Sequence, residues 1–95
     1  MNTKELHDTT KAISTASLFK SMEGSVTSIQ ILANQQLKEH ITKVPAFLLC
    51  VTGSVVFENE NGIHLTLTTG DYVHIEPNVR HWLNANATSD LVLIK

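Results

Sequence analysis

The feature that most constrains the fold of this chain is a series of short apolar segments, several of which alternate with a period of two. After Asn61-Gly62, for example, Ile63, Leu65 and Leu67 alternate with polar residues. Successive side chains of a β-strand point to opposite faces, so this pattern predicts a strand with one buried and one wet face. Segments of this kind recur about every ten residues, with turn residues between them and no convincing long helix, which predicts a β-sandwich or β-barrel.

The clearest of these units is a hairpin over residues 54–68. The Asn61-Gly62 pair favours a two-residue type I′ turn, in which both central residues have a positive φ. We therefore expect residues 54–58 and 63–68 to pair as antiparallel strands, with Asn61-Gly62 at the tip of the hairpin.

Length and composition predict a single domain. The chain has 95 residues, of which 42% are hydrophobic and 17% charged, and this balance is typical of globular rather than disordered proteins. Residues 25–95 carry the strand pattern, and residues 1–24 form an N-terminal segment that we expect to pack on the barrel or on a dimer partner. In that segment Ala16, Phe19 and Met22 have helical spacing, but Ser and Thr are dense. A strand with a single helical turn is therefore an equal alternative.

Charge, apolar run length and cysteine content exclude several classes of protein. The formal net charge is −2 and the seven Lys and Arg are scattered, which argues against a nucleic-acid partner. The longest apolar stretch, residues 44–51, is shorter than the about 20 residues that span a bilayer, and the first ten residues do not resemble a signal peptide. The single cysteine, Cys50, fits a reducing compartment. We therefore expect a cytoplasmic protein with no membrane partner.

Two stretches of the chain place a histidine at a set distance from glycines. The first, residues 34–53, contains His40 and ends in a glycine; the second, residues 70–85, opens with Gly-Asp and contains His81. Together with the strand pattern, these stretches resemble the two motifs of the cupin family of small β-barrels. The resemblance covers residues 34–95 and implies a small single-domain cupin. Its fold would be one antiparallel barrel or jelly roll, the double-stranded β-helix, with little helix.

The chain departs from the cupin motifs at positions that matter for metal binding. Asn34 and Asn78 replace glycines, a mild change because Asn tolerates a left-handed backbone better than other residues with a side chain. In metal-binding cupins three histidines and a glutamate supply the ligands. Here Thr42 stands at the second histidine and Ala46 at the glutamate. The metal motif is therefore degenerate.

Two histidines, His40 and His81, are fewer than the three or more ligands that protein metal sites usually supply. Glu39 should point outward if His40 points inward, because neighbouring side chains on a strand alternate. Cys50 shares the inward parity, but a buried free cysteine is usually a small hydrophobic residue. We therefore do not predict a cofactor. The alternative is a divalent transition metal bound by His40 and His81.

The alternation and the motif positions together predict a ligand pocket inside the barrel. Its residues would be His40, Thr42, Leu48, Cys50, Val73, Ile75 and His81. A histidine pair in an apolar interior costs free energy unless it is used, which favours ligand binding over inert core histidines. We predict a cupin-type barrel that binds a small organic molecule. The alternative is a small cupin enzyme of the dioxygenase, isomerase or decarboxylase type that uses His40 or His81, with or without a metal ion.

The apolar run around Leu48 also has an apolar outer face. If Leu48 points inward, Phe47, Leu49 and Val51 point outward, where an antiparallel sheet is normally polar. A soluble monomer rarely leaves such a patch bare, so either the N-terminal segment or a second copy of the chain should cover it. Symmetric pairing is the commonest arrangement of soluble oligomers, and similar cupins tend to pair through this side, so we expect a homodimer. Trp82 is likewise outward, at the barrel mouth or at a subunit contact.

Overall fold

Nine antiparallel β-strands form two sheets in the computed structural model, which describes residues 1–95. The strands are β1 Ile13–Lys20, β2 Ser25–Ile31, β3 Gln36–His40, β4 Ala46–Thr52, β5 Ser54–Asn59, β6 His64–Thr68, β7 Tyr72–Ile75, β8 His81–Ala85 and β9 Ser89–Ile94. A 3₁₀ turn, Thr3–Leu6, is the only helical element, and no helix is suited to crossing a bilayer. The prediction of an all-β antiparallel fold with little helix is confirmed.

The two sheets enclose one apolar core. The five-stranded sheet has the order β1-β2-β9-β4-β7, and the four-stranded sheet has the order β3-β8-β5-β6. Both sheets contribute to a single buried cluster, consisting of Ile29, Ile31, Ala46, Leu48, Cys50, Val55, Phe57, Leu67, Val73, Ile75, Leu83, Ala85 and Leu91. In β4 the predicted alternation is confirmed, since Ala46, Leu48 and Cys50 are buried while Phe47 and Leu49 are half-buried on the other face.

The predicted hairpin between β5 and β6 is present, but its turn is not of type I′. Only Gly62 has a positive φ, 87°, whereas Asn61 does not. The backbone N–H of Gly62 donates to the Asn59 carbonyl at 3.2 Å, and the side-chain oxygen of Asn59 accepts from the backbone N–H groups of Asn61 and Ile63, each at 3.0 Å. Asn59 thus stabilises a longer turn that needs a single left-handed residue, and the glycine supplies it.

The N-terminal segment adds an edge strand and covers part of an outer face. β1 pairs with β2 and includes Ala16 and Phe19, so the strand alternative is correct and the helical one is wrong. Behind the 3₁₀ turn, His7 is only 8% exposed, with Nδ1 at 2.9 Å from Ser14 Oγ and Nε2 at 2.7 Å from Ser28 Oγ. These two serines lie on β1 and β2, opposite the core face. His7 therefore fastens the start of the chain to the outside of the five-stranded sheet.

Candidate functional site

Two histidines meet at one end of the interior. His40 ends β3, His81 begins β8, and the two residues are direct partners in the ladder between these strands. Their Nε2 atoms lie 3.0 Å apart, and their ring centroids are 4.2 Å apart at an interplanar angle of 63°. The structure therefore brings both predicted histidines together on neighbouring strands of the four-stranded sheet.

The two rings have different surroundings. His81 is 3% exposed, and its ring stacks on the buried Phe57 ring with centroids 5.7 Å apart. Burial lowers the pKa of His81; the neighbouring His40 and Lys95 charges lower it further, and the Val79 carbonyl acts in the opposite direction. His81 is consequently a neutral imidazole at neutral pH, whereas His40 is exposed to solvent.

The hydrogen bonds of the pair require more protons than two neutral rings carry. Nδ1 of His40 lies 3.1 Å from the Lys38 carbonyl, and Nδ1 of His81 lies 3.3 Å from the Val79 carbonyl. A carbonyl oxygen only accepts, so both Nδ1 atoms must hold a proton for these bonds to form. The two Nε2 atoms then face each other as lone pairs. A third proton between the two Nε2 atoms, or a hydrogen-bond donor from a ligand, would give all four ring nitrogens a partner.

The space beside the pair is small and apolar. A cavity of about 10 Å³, room for about one water molecule, is lined by Ile29, Leu37, His40, Leu48, Ile75, His81, Leu83 and Leu93. Four of the seven predicted pocket residues therefore line this cavity: His40, Leu48, Ile75 and His81. The other three, Thr42, Cys50 and Val73, do not.

These three residues are buried for other reasons. The Thr42 hydroxyl donates to the Val44 carbonyl at 2.9 Å, which leaves it no free hydrogen to offer a ligand. Cys50 is fully buried, its sulfur lies 3.6 Å from the Thr52 carbonyl, and burial raises the pKa of its thiol, so it behaves as a small hydrophobic residue. Val73 is part of the core cluster.

Sequence reasoning missed four lining residues, namely Ile29, Leu37, Leu83 and Leu93. Leu83 follows His81 by two positions on β8 and Ile29 has inward parity on β2, so the alternation carried a signal for both. For Leu37 the alternation is broken by a register shift between Leu37 and His40, and only the observed strand pairing places it.

The residues present do not fit the metal centre of metal-binding cupins. His40 and His81 are the two nitrogen donors, and no group of three His, Cys, Asp or Glu side chains converges anywhere in the structure. The hydroxyl of Thr42 is engaged with a backbone carbonyl, and Ala46 is a buried methyl group. A structural or catalytic zinc or iron site normally needs at least one further protein ligand.

Comparison with known proteins agrees with this architecture. The family model described as "Cupin domain" matches residues 28–94. None of the curated proteins with which the sequence was compared matches it.

Several solved structures are similar. A cupin superfamily protein from Desulfitobacterium hafniense is 12% identical with a TM-score of 0.81, over 87% of this chain and 75% of that one. A conserved protein of unknown function from Streptococcus pyogenes is 11% identical with a TM-score of 0.83, over 99% and 82% of the two chains. A chain from the crystal structures of the DMSP lyases RdDddP and RnDddQII is 15% identical with a TM-score of 0.81, over 86% of this chain and 46% of that one. At these identities the likeness shows a common fold alone.

Proposed function

The chain belongs to the cupin family, and from this premise we propose that it binds a small organic acid at the His40–His81 end of its interior. The observation that carries the proposal is the convergence of two Nε2 atoms, 3.0 Å apart, at a cavity that is otherwise apolar. Polar groups placed in this way define the orientation of a ligand in a largely hydrophobic site.

The charge around the pair favours an anionic ligand. Both Nδ1 atoms face carbonyl oxygens, so a proton taken up by the pair goes to Nε2 and leaves a positive charge at the mouth of the interior. Lys95 lies near enough for its charge to lower the pKa of His81. A carboxylate accepts hydrogen bonds from protonated imidazole nitrogens and offsets this local positive charge. Binding should therefore be accompanied by proton uptake.

We expect most of the ligand to lie outside the interior, because the cavity beside the histidines is small. Pockets that enclose a small organic molecule have volumes of about 300–1,000 Å³, whereas the space beside the histidines holds about one water. The acid group would enter at the exposed ring of His40, and the rest of the ligand would lie across the mouth. A short-chain carboxylic acid meets this geometry better than a bulky ring system.

The experiment is isothermal titration calorimetry of the protein with acetate, pyruvate, succinate and citrate, and with succinamide as the uncharged counterpart, at pH 5.5 and 7.5. We expect at least one acid to bind more tightly at pH 5.5, and succinamide not to bind. A His40→Gln/His81→Gln variant should lose this binding, while His64→Gln, which alters a solvent-exposed ring on the outer face at the start of β6, should retain it. Equal binding of acid and amide, or binding unaffected by the double variant, would contradict the proposal.

An enzymatic role is the second candidate, and one observation favours it. His81 is held neutral by burial, which leaves it able to accept a proton in a water-poor site. The fold likeness to a chain from the crystal structures of DMSP lyases adds support at the level of the fold. Incubating each acid that binds with the protein and following the mixture by NMR would separate the two candidates, because a binding protein leaves the acid unchanged.

We also propose that the outer face of the five-stranded sheet pairs two copies of the chain. Ladder partners line up an apolar row across the sheet, consisting of Phe19, Val26, Ile94 and Phe47. Phe19 and Ile94 are 62% and 42% exposed. The N-terminal residues that His7 attaches to β1 and β2 by hydrogen bonds therefore leave this row uncovered. A contiguous exposed apolar patch of this kind is typical of protein interfaces.

A further inference from the structure

The outer face of the four-stranded sheet carries a groove built around the only tryptophan of the chain. Trp82 follows His81 on β8 and points away from the interior, as its outward parity predicts. The groove has a volume of about 390 Å³ and is lined by Gln36, Lys38, Glu39 and Trp82. It lies on the opposite side of β8 from the histidine pair and on a different sheet from the proposed dimer face. It is therefore independent of both.

A hydrogen bond to Glu58 anchors the indole ring, and a second bond, from His64, orients that glutamate. Its Nε1–H donates to Glu58 Oε2 at 2.6 Å, across the ladder between β8 and β5. The other oxygen of Glu58 accepts from His64 Nδ1 at 2.7 Å, across the ladder between β5 and β6. The three side chains thus form one row over three strands, and the indole is anchored at its polar edge with its ring beside the groove.

A β-bulge brings two charged side chains to the same side of the sheet. Leu37 pairs with Leu83 and His40 pairs with His81, so Lys38 and Glu39 together lie opposite the single residue Trp82. In a regular strand consecutive side chains would point to opposite faces. The bulge removes this alternation, and both Lys38 and Glu39 line the groove.

We propose that this groove is a second binding site and that its ligand is a neutral saccharide. The flat face of a sugar ring carries C–H groups that pack on an aromatic ring, while its rim carries hydroxyl groups that both donate and accept hydrogen bonds. The groove offers the matching partners: an indole ring, the amide of Gln36, the ammonium of Lys38 and the carboxylate of Glu39.

Other ligand classes match the groove less well. The groove carries one charge of each sign, Lys38 and Glu39, so a ligand ion of either sign would meet one like charge as well as one opposite charge. A flat hydrocarbon would strip water from three polar side chains without replacing their hydrogen bonds. A saccharide satisfies all three without introducing a charge.

The single tryptophan makes the site directly observable, because all tryptophan fluorescence arises from the groove. The protein is titrated with neutral oligosaccharides of glucose, xylose, mannose and N-acetylglucosamine, and with tetramethylammonium chloride as the cationic comparison. We expect at least one saccharide to change the emission with a saturable curve and tetramethylammonium to bind more weakly. Failure of every saccharide, or tighter binding of the cation, would overturn the proposal.

Variants then locate the binding by calorimetry. Trp82→Ala should weaken saccharide binding by about tenfold or more, and Glu39→Gln and Lys38→Met should each weaken it to a smaller extent.

Tyr72→Ala removes an aromatic ring of the other sheet that is 56% exposed, and it should leave the affinity unchanged. The His40→Gln/His81→Gln variant should also retain saccharide binding, which separates this site from the proposed acid site. If Trp82→Ala unfolds, Trp82→Leu tests the same point, since it removes the aromatic ring but keeps a large apolar side chain, and it should weaken saccharide binding likewise. Undiminished affinity in a folded Trp82→Ala variant, or loss of affinity in Tyr72→Ala, would refute the assignment.

Discussion

Nε2 of His40 and Nε2 of His81 lie 3.0 Å apart although 41 positions separate the two residues in the sequence. The contact exists because β3 and β8 are neighbours and these two residues are ladder partners. One ring is buried against Phe57 and the other reaches solvent. The buried ring resists protonation, and the exposed ring gives a ligand or a proton access to it.

The burial of His81 predicts a stability that depends on pH. Its folded pKa lies below the about 6.5 of an unperturbed histidine. Above about pH 6.5 the ring of His81 is neutral in both the folded and the unfolded chain. As the pH falls below it, the unfolded chain takes up a proton that the folded chain does not, so the free energy of unfolding decreases.

Urea unfolding of the wild type and of His81→Gln at pH 7.5, 6.5 and 5.5 measures this contribution. The wild type should lose more stability between pH 7.5 and 5.5 than the variant does. His64→Gln, which alters an exposed ring, serves as the control and should follow the wild type. Parallel losses in wild type and His81→Gln would show that His81 is not the group responsible.

Ligand number predicts a low metal content. With two histidines and no third converging donor, protein purified without chelator should carry well under one equivalent of any transition metal per chain. Elemental analysis after dialysis is the measurement. A stoichiometric metal that survives dialysis would contradict this prediction and would favour the enzymatic candidate.

Two glycines have similar φ angles, but their replacement by alanine should lower the free energy of unfolding by very different amounts. Gly53 has φ 101° and Gly62 has φ 87°, so alanine is strained at either position by about 1–2 kcal/mol. A Cβ at Gly62 would meet no atom within 4 Å, whereas one at Gly53 would lie 2.7 Å from Ser89 Cα. Gly53→Ala should therefore be clearly more destabilising than Gly62→Ala in urea unfolding, and equal losses would show that the backbone relaxes around Ser89.

A charge beside the apolar row of the proposed dimer face should prevent pairing. Leu49 is half-buried on the outer face of β4, and Leu49→Asp would place an unpaired carboxylate at the contact. We expect light scattering behind a sizing column to give a dimer for the wild type and a monomer or insoluble protein for this variant. Val56→Asp introduces the same charge on the outer face of β5 and should remain dimeric. A wild type of about 10.5 kDa would refute the dimer.

The strand pattern and the residues of the interior were predictable because both depend on local alternation. Val73 and Ile75 alternate with Tyr72 and His74, so their inward parity can be read directly from the sequence, whereas Leu48 lies in a uniformly apolar run and takes its inward parity from the resemblance to the cupin motif. All three are buried. Parity does not give position along the strand, however. For this reason the sequence predicts Cys50 in the pocket with His40, although it does not line the cavity at the histidines.

Features that depend on side-chain hydrogen bonds or on irregular pairing were not predictable. The Asn61-Gly62 pair indicated a type I′ turn, but the side chain of Asn59 stabilises a different one. The bulge at Lys38 and Glu39 has no signature in the sequence, because it arises where β3 must accommodate one residue more than β8. The groove at Trp82 could therefore be recognised only in three dimensions.

The position of β9 has a consequence for the kinetics of folding. Residues 89–94 lie between β2 and β4, so neither the β1-β2 pair nor the β4-β7 pair can join the other without them. During synthesis these two pairs can form early, but they stay separate and each keeps an unpaired edge until β9 emerges. The insertion of β9 between β2 and β4 brings together residues that are far apart along the chain, such as Val26 and Ile94. The entropic cost of closing this long loop must therefore be overcome in one late step. Folding should accordingly be slow for a chain of this size, and the interval before closure is when aggregation competes with it.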